Sequence, residues 1–134
     1  MKLTRACGYA LHALVSLARQ ESPNPVASHL VADAQNIPDR FLLKVLKPLV
    51  TAGVLQSVKG PHGGYKLTRP PSKITLLEVV EAVEGPVRGR VDYVEGAGTK
   101  ALDDRLSSVC GKVAENVRNQ LQKVRLSELA GMQE

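Results

Sequence analysis

Apolar residues recur at three- and four-residue spacing along several stretches of this chain, and glycine, proline and polar residues interrupt them. From Leu3 to Arg19, Ala6, Ala10, Leu14 and Leu17 fall on one helical face, with Thr4 placed to cap the start. Glu21 to Pro25 reads as a turn, and Val26 is placed to add a short third strand to a small sheet. Ser28 to Ala34 predicts a short helix and Gln35-Asn36 a tight turn into a longer one. In that longer helix Phe41, Leu42, Val45, Leu46, Leu49 and Val50 draw an apolar stripe, while Asp39, Arg40, Leu43, Lys44 and Lys47 fall towards the other side. Pro38 suits the first helical turn, Asp39 favours the helix dipole, and Pro48 frees the carbonyl of Lys44 and predicts a bend. Gly53 is the stop. Val54, Leu55 and Val58 then begin a strand, Tyr65 and Leu67 fit its return, and Lys59-Gly60-Pro61-His62-Gly63-Gly64 forms the tip between them.

Further along, Thr75 and Glu78 form a capping box, with Ile74 and Val79 as a hydrophobic staple across it, and Gly85-Pro86 ends the helix they start. Val87 to Gly98 has no clear period and reads as a loop. Thr99 to Val124 carries no proline and reads as one long helix, in which Leu102, Leu106, Val109, Val113, Val117, Leu121 and Val124 line a narrow seam. A domain this small leaves that seam little to pack on. A symmetry-related copy is the expected partner, the alternative being that the helix folds back on its own domain. The expected fold is mainly α with a small β wing. Residues 1–86 make a winged helix-turn-helix, 87–98 a sensing or linker loop, and 99–134 a dimerisation helix with a C-terminal tail.

Composition sharpens this picture without changing it. A formal charge of +5 suits a polyanionic partner, and an aromatic content of 3% with no tryptophan argues against base-stacking RNA readers. No apolar run is long enough to span a bilayer, no signal peptide is evident at the amino terminus, and two cysteines far apart fit a reducing cytoplasm. Cys7 reads as a small buried hydrophobe and His12 as a structural histidine. His12, His29 and His62 are scattered, and no motif sets a nucleophile beside a base, so the pattern does not point to an enzyme.

The opening Met1-Lys2-Leu3-Thr4 with Gly8-Tyr9-Ala10, then Ile37, Phe41-Leu42, Leu49 and Ala52-Gly53-Val54-Leu55, resemble the Rrf-two family of bacterial winged-helix transcription regulators (IscR/NsrR/CymR-like). Ser57 to Leu67 is close to that family's wing, and the likeness continues through Ile74 to Val79 and Ala82 to Gly85. The resemblance implies a homodimeric regulator of double-stranded DNA, usually a repressor, that reads a palindromic operator. By position it implies that Thr4, Lys59, Gly60, His62 and Gly63 lie along the DNA backbone. It likewise implies that Arg40, Phe41 and Lys44 approach base edges, with Asp39 beside them at the start of the reading helix. Physically, Arg40 and Lys44 are each able to donate to guanine O6 and N7. Gly60 and Gly63 would let the wing backbone come close to the sugar-phosphate chain.

The departure from the family is equally specific. Its iron–sulfur members carry three closely spaced cysteines between the bracing helix and the long helix, whereas Val87 to Val109 contains none and Cys110 stands alone. An iron–sulfur centre of the usual kind needs about four ligands. No metal and no cofactor is therefore expected, and Cys110 is either a core position or a single-thiol redox switch. The effector, a small molecule or a protein, is not legible. Two other readings compete: a winged-helix protein-interaction module that binds no DNA, and a thiol-based redox regulator using Cys110. The joint presence of a basic helix face and a basic wing favours DNA over the first.

Overall fold

The computed structural model describes residues 1–92 and 100–132. Helix α1 (Arg5–Ala18) starts at Thr4, whose hydroxyl accepts the Cys7 N–H at 3.1 Å, as the sequence predicts. Its Cys7, Ala10, Ala13, Leu14 and Leu17 are buried and form the spine of the core. Helix α2 (Ser28–Gln35) ends at Asn36, which takes the left-handed conformation (φ 54°, ψ 44°) and turns the chain into Ile37. Helix α3 (Asp39–Thr51) then buries Leu42, Val45, Leu46 and Leu49. Phe41 and Val50 sit at the rim of that stripe, only half-buried.

Pro38 differs from its expected place inside the first helical turn. It is the N-cap, at φ −57° and ψ 129°, and its carbonyl accepts the N–H groups of Phe41 and Leu42 at 3.0 and 3.1 Å. The ring fixes φ but leaves ψ free to be extended, so proline serves just outside the helix as well as just inside it. The helix runs unbroken through Pro48. Its end is a Schellman motif: Gly53, at φ 80°, donates to the Val50 carbonyl, and Val54 donates to that of Leu49, each at 3.0 Å.

Strand β1 (Leu55–Val58) pairs antiparallel with β2 (Gly64–Leu67) in the register Leu55 with Leu67 and Val58 with Gly64. Val26 joins as a third, one-residue rung. It exchanges both backbone hydrogen bonds with Tyr65 at 2.9 Å. Helix α4 (Leu76–Glu84) has the predicted capping box, Thr75 Oγ1 accepting from the Glu78 N–H at 3.1 Å and Glu78 Oε2 from the Thr75 N–H at 2.8 Å. Arg69 ties this box to the strand end through a 2.9 Å pair with Glu78.

Helix α5 (Lys100–Gln122) follows, and its seam divides in two. Val117, Leu121 and Val124 are half-buried and Ala114 is buried, while Arg118 pairs with Glu81 of α4 at 2.6 Å. Leu102, Leu106, Val109 and Val113 remain exposed. The chain after α5, read from sequence as a tail, returns to the core instead. Leu126–Leu129 forms a short helix, α6, with Leu126 and Ala130 buried in the same cluster as α1 and α3. Backbone bonds from Leu76 N–H to Val124 O (2.9 Å) and from Leu126 N–H to Ile74 O (2.8 Å) stitch this segment alongside the entry to α4. Among the described residues no helix is long and apolar enough to cross a membrane.

Candidate nucleic-acid interface

Burial of Leu42, Val45, Leu46 and Leu49 fixes the rotation of α3 and turns Asp39, Arg40, Leu43, Lys44 and Lys47 to solvent. Arg40 and Lys44 are one turn apart on the same side, so their charges form one patch. Both crowd the ring of Phe41, the Arg40 Cζ lying 4.7 Å and the Lys44 Nζ 5.8 Å from its centroid. Asp39, at the first position of the helix, faces the uncompensated N–H end and is exposed.

The wing tip presents Lys59, Gly60, Pro61 and His62 to solvent, with Gly63 half-buried behind them. Gly60 adopts φ 111°, which side-chain-bearing residues avoid. A Cβ on Gly63 would collide with the carbonyl oxygen of Val58 across the turn. Both glycines therefore have a reason inside the hairpin, apart from any close approach to DNA. Thr4 is exposed at the start of α1, and its N–H donates to Glu84 Oε1 at 2.7 Å. That bond ties the end of α4 to the beginning of α1, a link between residues eighty positions apart that no local pattern announces. Tyr9 of α1 stacks on Phe41, which sets the first turns of α1 and α3 side by side. By sequence Tyr9 carries part of the family resemblance but no site role, because a half-buried ring on an apolar helix face gives no local sign of one.

The cysteines lie in separate surroundings. Cys7 is fully buried, and desolvation, reinforced by the nearby negative charge of Glu84, pushes its thiol up to about 11. Cys110 is half-buried on α5, where the backbone of Gly89 packs so closely that a Cβ there would strike the Cys110 carbonyl. Among the described residues, no three His, Cys, Asp or Glu side chains gather as metal ligands do. A donor set of one deeply buried thiol and one solitary thiol does not fit an iron–sulfur centre.

This architecture is shared with known proteins. The solved structure of CymR, the global cysteine regulator of Bacillus subtilis, superposes with a TM-score of 0.75 at 24% identity, covering 100% of this chain and 99% of that one; at that identity the likeness speaks for the fold. IscR, a helix-turn-helix transcriptional regulator of Cereibacter sphaeroides, is 39% identical over 114 residues, 79% of this chain and 74% of its own length. Rv1287 of Mycobacterium tuberculosis, provisionally named a regulator of the same type, is 32% identical over 98% of this chain and 82% of its own length. The family model Rrf2, described as an iron-dependent transcriptional regulator, matches residues 3–131. With a winged helix-turn-helix, a long α5 and a match that runs through the C-terminal return, the chain belongs to the Rrf2 family.

Proposed function

We propose that this protein is a cytoplasmic, sequence-specific transcriptional repressor that grips a palindromic operator as a homodimer. The observation that carries the reading is the joint exposure of two basic features, Arg40, Lys44 and Lys47 on α3 and Lys59 with His62 on the wing, held by one core. In this reading α3 enters the major groove, and Arg40 and Lys44 donate to base edges, with Phe41 and Asp39 beside them. Thr4, Lys59, Gly60, His62 and Gly63 follow the sugar-phosphate backbone. Lys59 adds affinity that falls with salt and carries little sequence information.

The homodimer reading is supported by Leu102, Leu106, Val109 and Val113, which leave an apolar stripe on α5 open to solvent. A small-molecule or protein effector acting on residues 87–92 would meet Glu81. Its carboxylate accepts the Val87 N–H at 2.9 Å and pairs with Arg118, so loop, α4 and α5 share one carboxylate. The test is selection of genomic fragments by the purified protein, followed by binding of the best fragment to Arg40→Ala and Lys44→Ala. Each variant is expected to lose about 1–3 kcal/mol of operator affinity while remaining folded. Unchanged operator affinity in both would reject the assignment of α3 as the reading helix.

A further inference from the structure

Arg40 and Lys44 carry like charges on the same helix face, and both lie against one aromatic ring, that of Phe41. An exposed arginine or lysine samples many rotamers, and each one frozen on binding costs affinity. The negative face of a ring beneath the cations narrows that set in advance and offsets their mutual repulsion. A ring on the rim of a helix does this only if it is itself held. Leu42, the next residue, faces the core and provides no such backing for Phe41.

The backing comes from α1. The Tyr9 ring lies nearly parallel to that of Phe41, 13° between planes and 6.4 Å between centroids, the separation of an offset stack. Tyr9 stands on the helix whose Cys7, Ala10, Ala13 and Leu14 are fully buried, so its position is fixed by the core. A leucine would bury comparable area at this half-exposed site but would present no flat face to a ring. The Phe41 ring is thus shared: Tyr9 of the core-anchored α1 stacks on it, and both cations lie against it.

We infer that Tyr9 is a positioning residue for sequence discrimination, setting Phe41 and through it the orientation of Arg40 and Lys44. The inference rests on the DNA-reading assignment above. It separates two kinds of affinity. Base-edge hydrogen bonds depend on side-chain orientation, whereas attraction to phosphates tolerates disorder in the side chain. Loss of the Tyr9 ring should therefore lower the preference for the right sequence and spare general DNA affinity.

The test uses the full chain with two probes, a duplex enriched from a random pool by the unaltered protein and a scrambled duplex of the same length and composition. Tyr9→Leu is expected to lower the ratio of the two affinities about three- to tenfold, the worth of an aromatic stack and the cation contacts it orders. Affinity for the scrambled duplex and its salt slope should stay as they are. Tyr9→Phe, which keeps the ring, should restore the ratio. The Arg40 Nε–H resonance, assigned through Arg40→Lys, should be ring-current shifted in the unaltered protein and in Tyr9→Phe but move in Tyr9→Leu. Where Tyr9→Leu melts too early for the measurement, Tyr9→Met fills the same space with a flexible chain and carries the same expectation. An unchanged ratio, or a ratio that falls only because both affinities fall together, overturns the inference. An unaltered protein that enriches no duplex overturns the DNA reading and this inference with it; equal discrimination by the unaltered protein and Tyr9→Leu overturns this inference alone.

Discussion

Leu126→Ala probes whether the C-terminal return belongs to the core or decorates it. Leu126 is 1% exposed, in one cluster with Leu14, Leu46 and Ile74. Trimming a leucine to alanine in such a place costs about 2–5 kcal/mol, the upper end applying when the cavity cannot collapse. A chain end has another option, which is to undock. Undocking would forfeit the burial of Leu126, about 1.5–3 kcal/mol, together with that of Ala130. It would also break the bonds Leu126 N–H to Ile74 O, Leu76 N–H to Val124 O and Arg19 Nε–H to Ala130 O, each contributing about 0.5–1.5 kcal/mol. The two costs are comparable, so detachment gives the variant no cheap escape, and the expected loss is about 3 kcal/mol. With a urea slope of about 2 kcal/mol/M, the midpoint should fall by about 1.5 M. Both proteins must be compared at one protomer concentration, because the stability of the proposed homodimer depends on it. A loss below about 1 kcal/mol would refute the claim that this segment completes the core.

Three further outcomes are expected. Lys59→Ala should weaken binding to every duplex and lower the slope of log affinity against log salt by about one; an effect confined to one base position would contradict a phosphate contact. Val113→Glu, at an exposed position of α5, should convert a dimer to monomers in sedimentation without loss of helix signal, and an unchanged mass would count against the proposed seam. Glu78→Gln should reveal an acid-sensitive contribution to stability. Burial alone would raise the Glu78 carboxyl, but hydrogen bonds and charge from Arg69 and the Thr75 backbone N–H hold it below the usual range. Its stabilisation is thus complete above the ordinary glutamate range and fades as pH falls through the lowered value. Because the carboxylate is 38% exposed, the gap between the two proteins at neutral pH should be at most about 1 kcal/mol and should close as the carboxylate protonates in acid. A gap independent of pH would exclude the Arg69 pair as its source.

Much of this molecule is legible from the chain alone where a feature is local. The caps at Thr4 and Thr75, the left-handed stop at Gly53 and the α3 stripe each need only a few neighbouring residues, and each takes the expected form. The exposure of the proposed site residues Asp39, Arg40 and Lys44 is legible too, because a buried stripe dictates what lies opposite it. What the wing glycines are for was less legible. Gly60 and Gly63 suit an approach to DNA, yet the turn itself demands them, and a sequence does not separate two sufficient reasons.

Pattern and composition by themselves determined helices α1 to α4, the body of α5, the wing strands, the basic helix face and wing, and the shortage of thiol ligands, since periodicity, turn chemistry and counts are carried by short stretches or by the whole chain at once. Only the tertiary structure decided that the α5 stripe is half occupied and half open. It alone brought Leu126 back beside Ile74, bound Thr4 to Glu84 and stacked Tyr9 on Phe41. Those contacts join residues distant in sequence. Four residues of α6 are too few to show a period, and a single ring on an apolar helix face looks the same whether it fills the core or supports a neighbour.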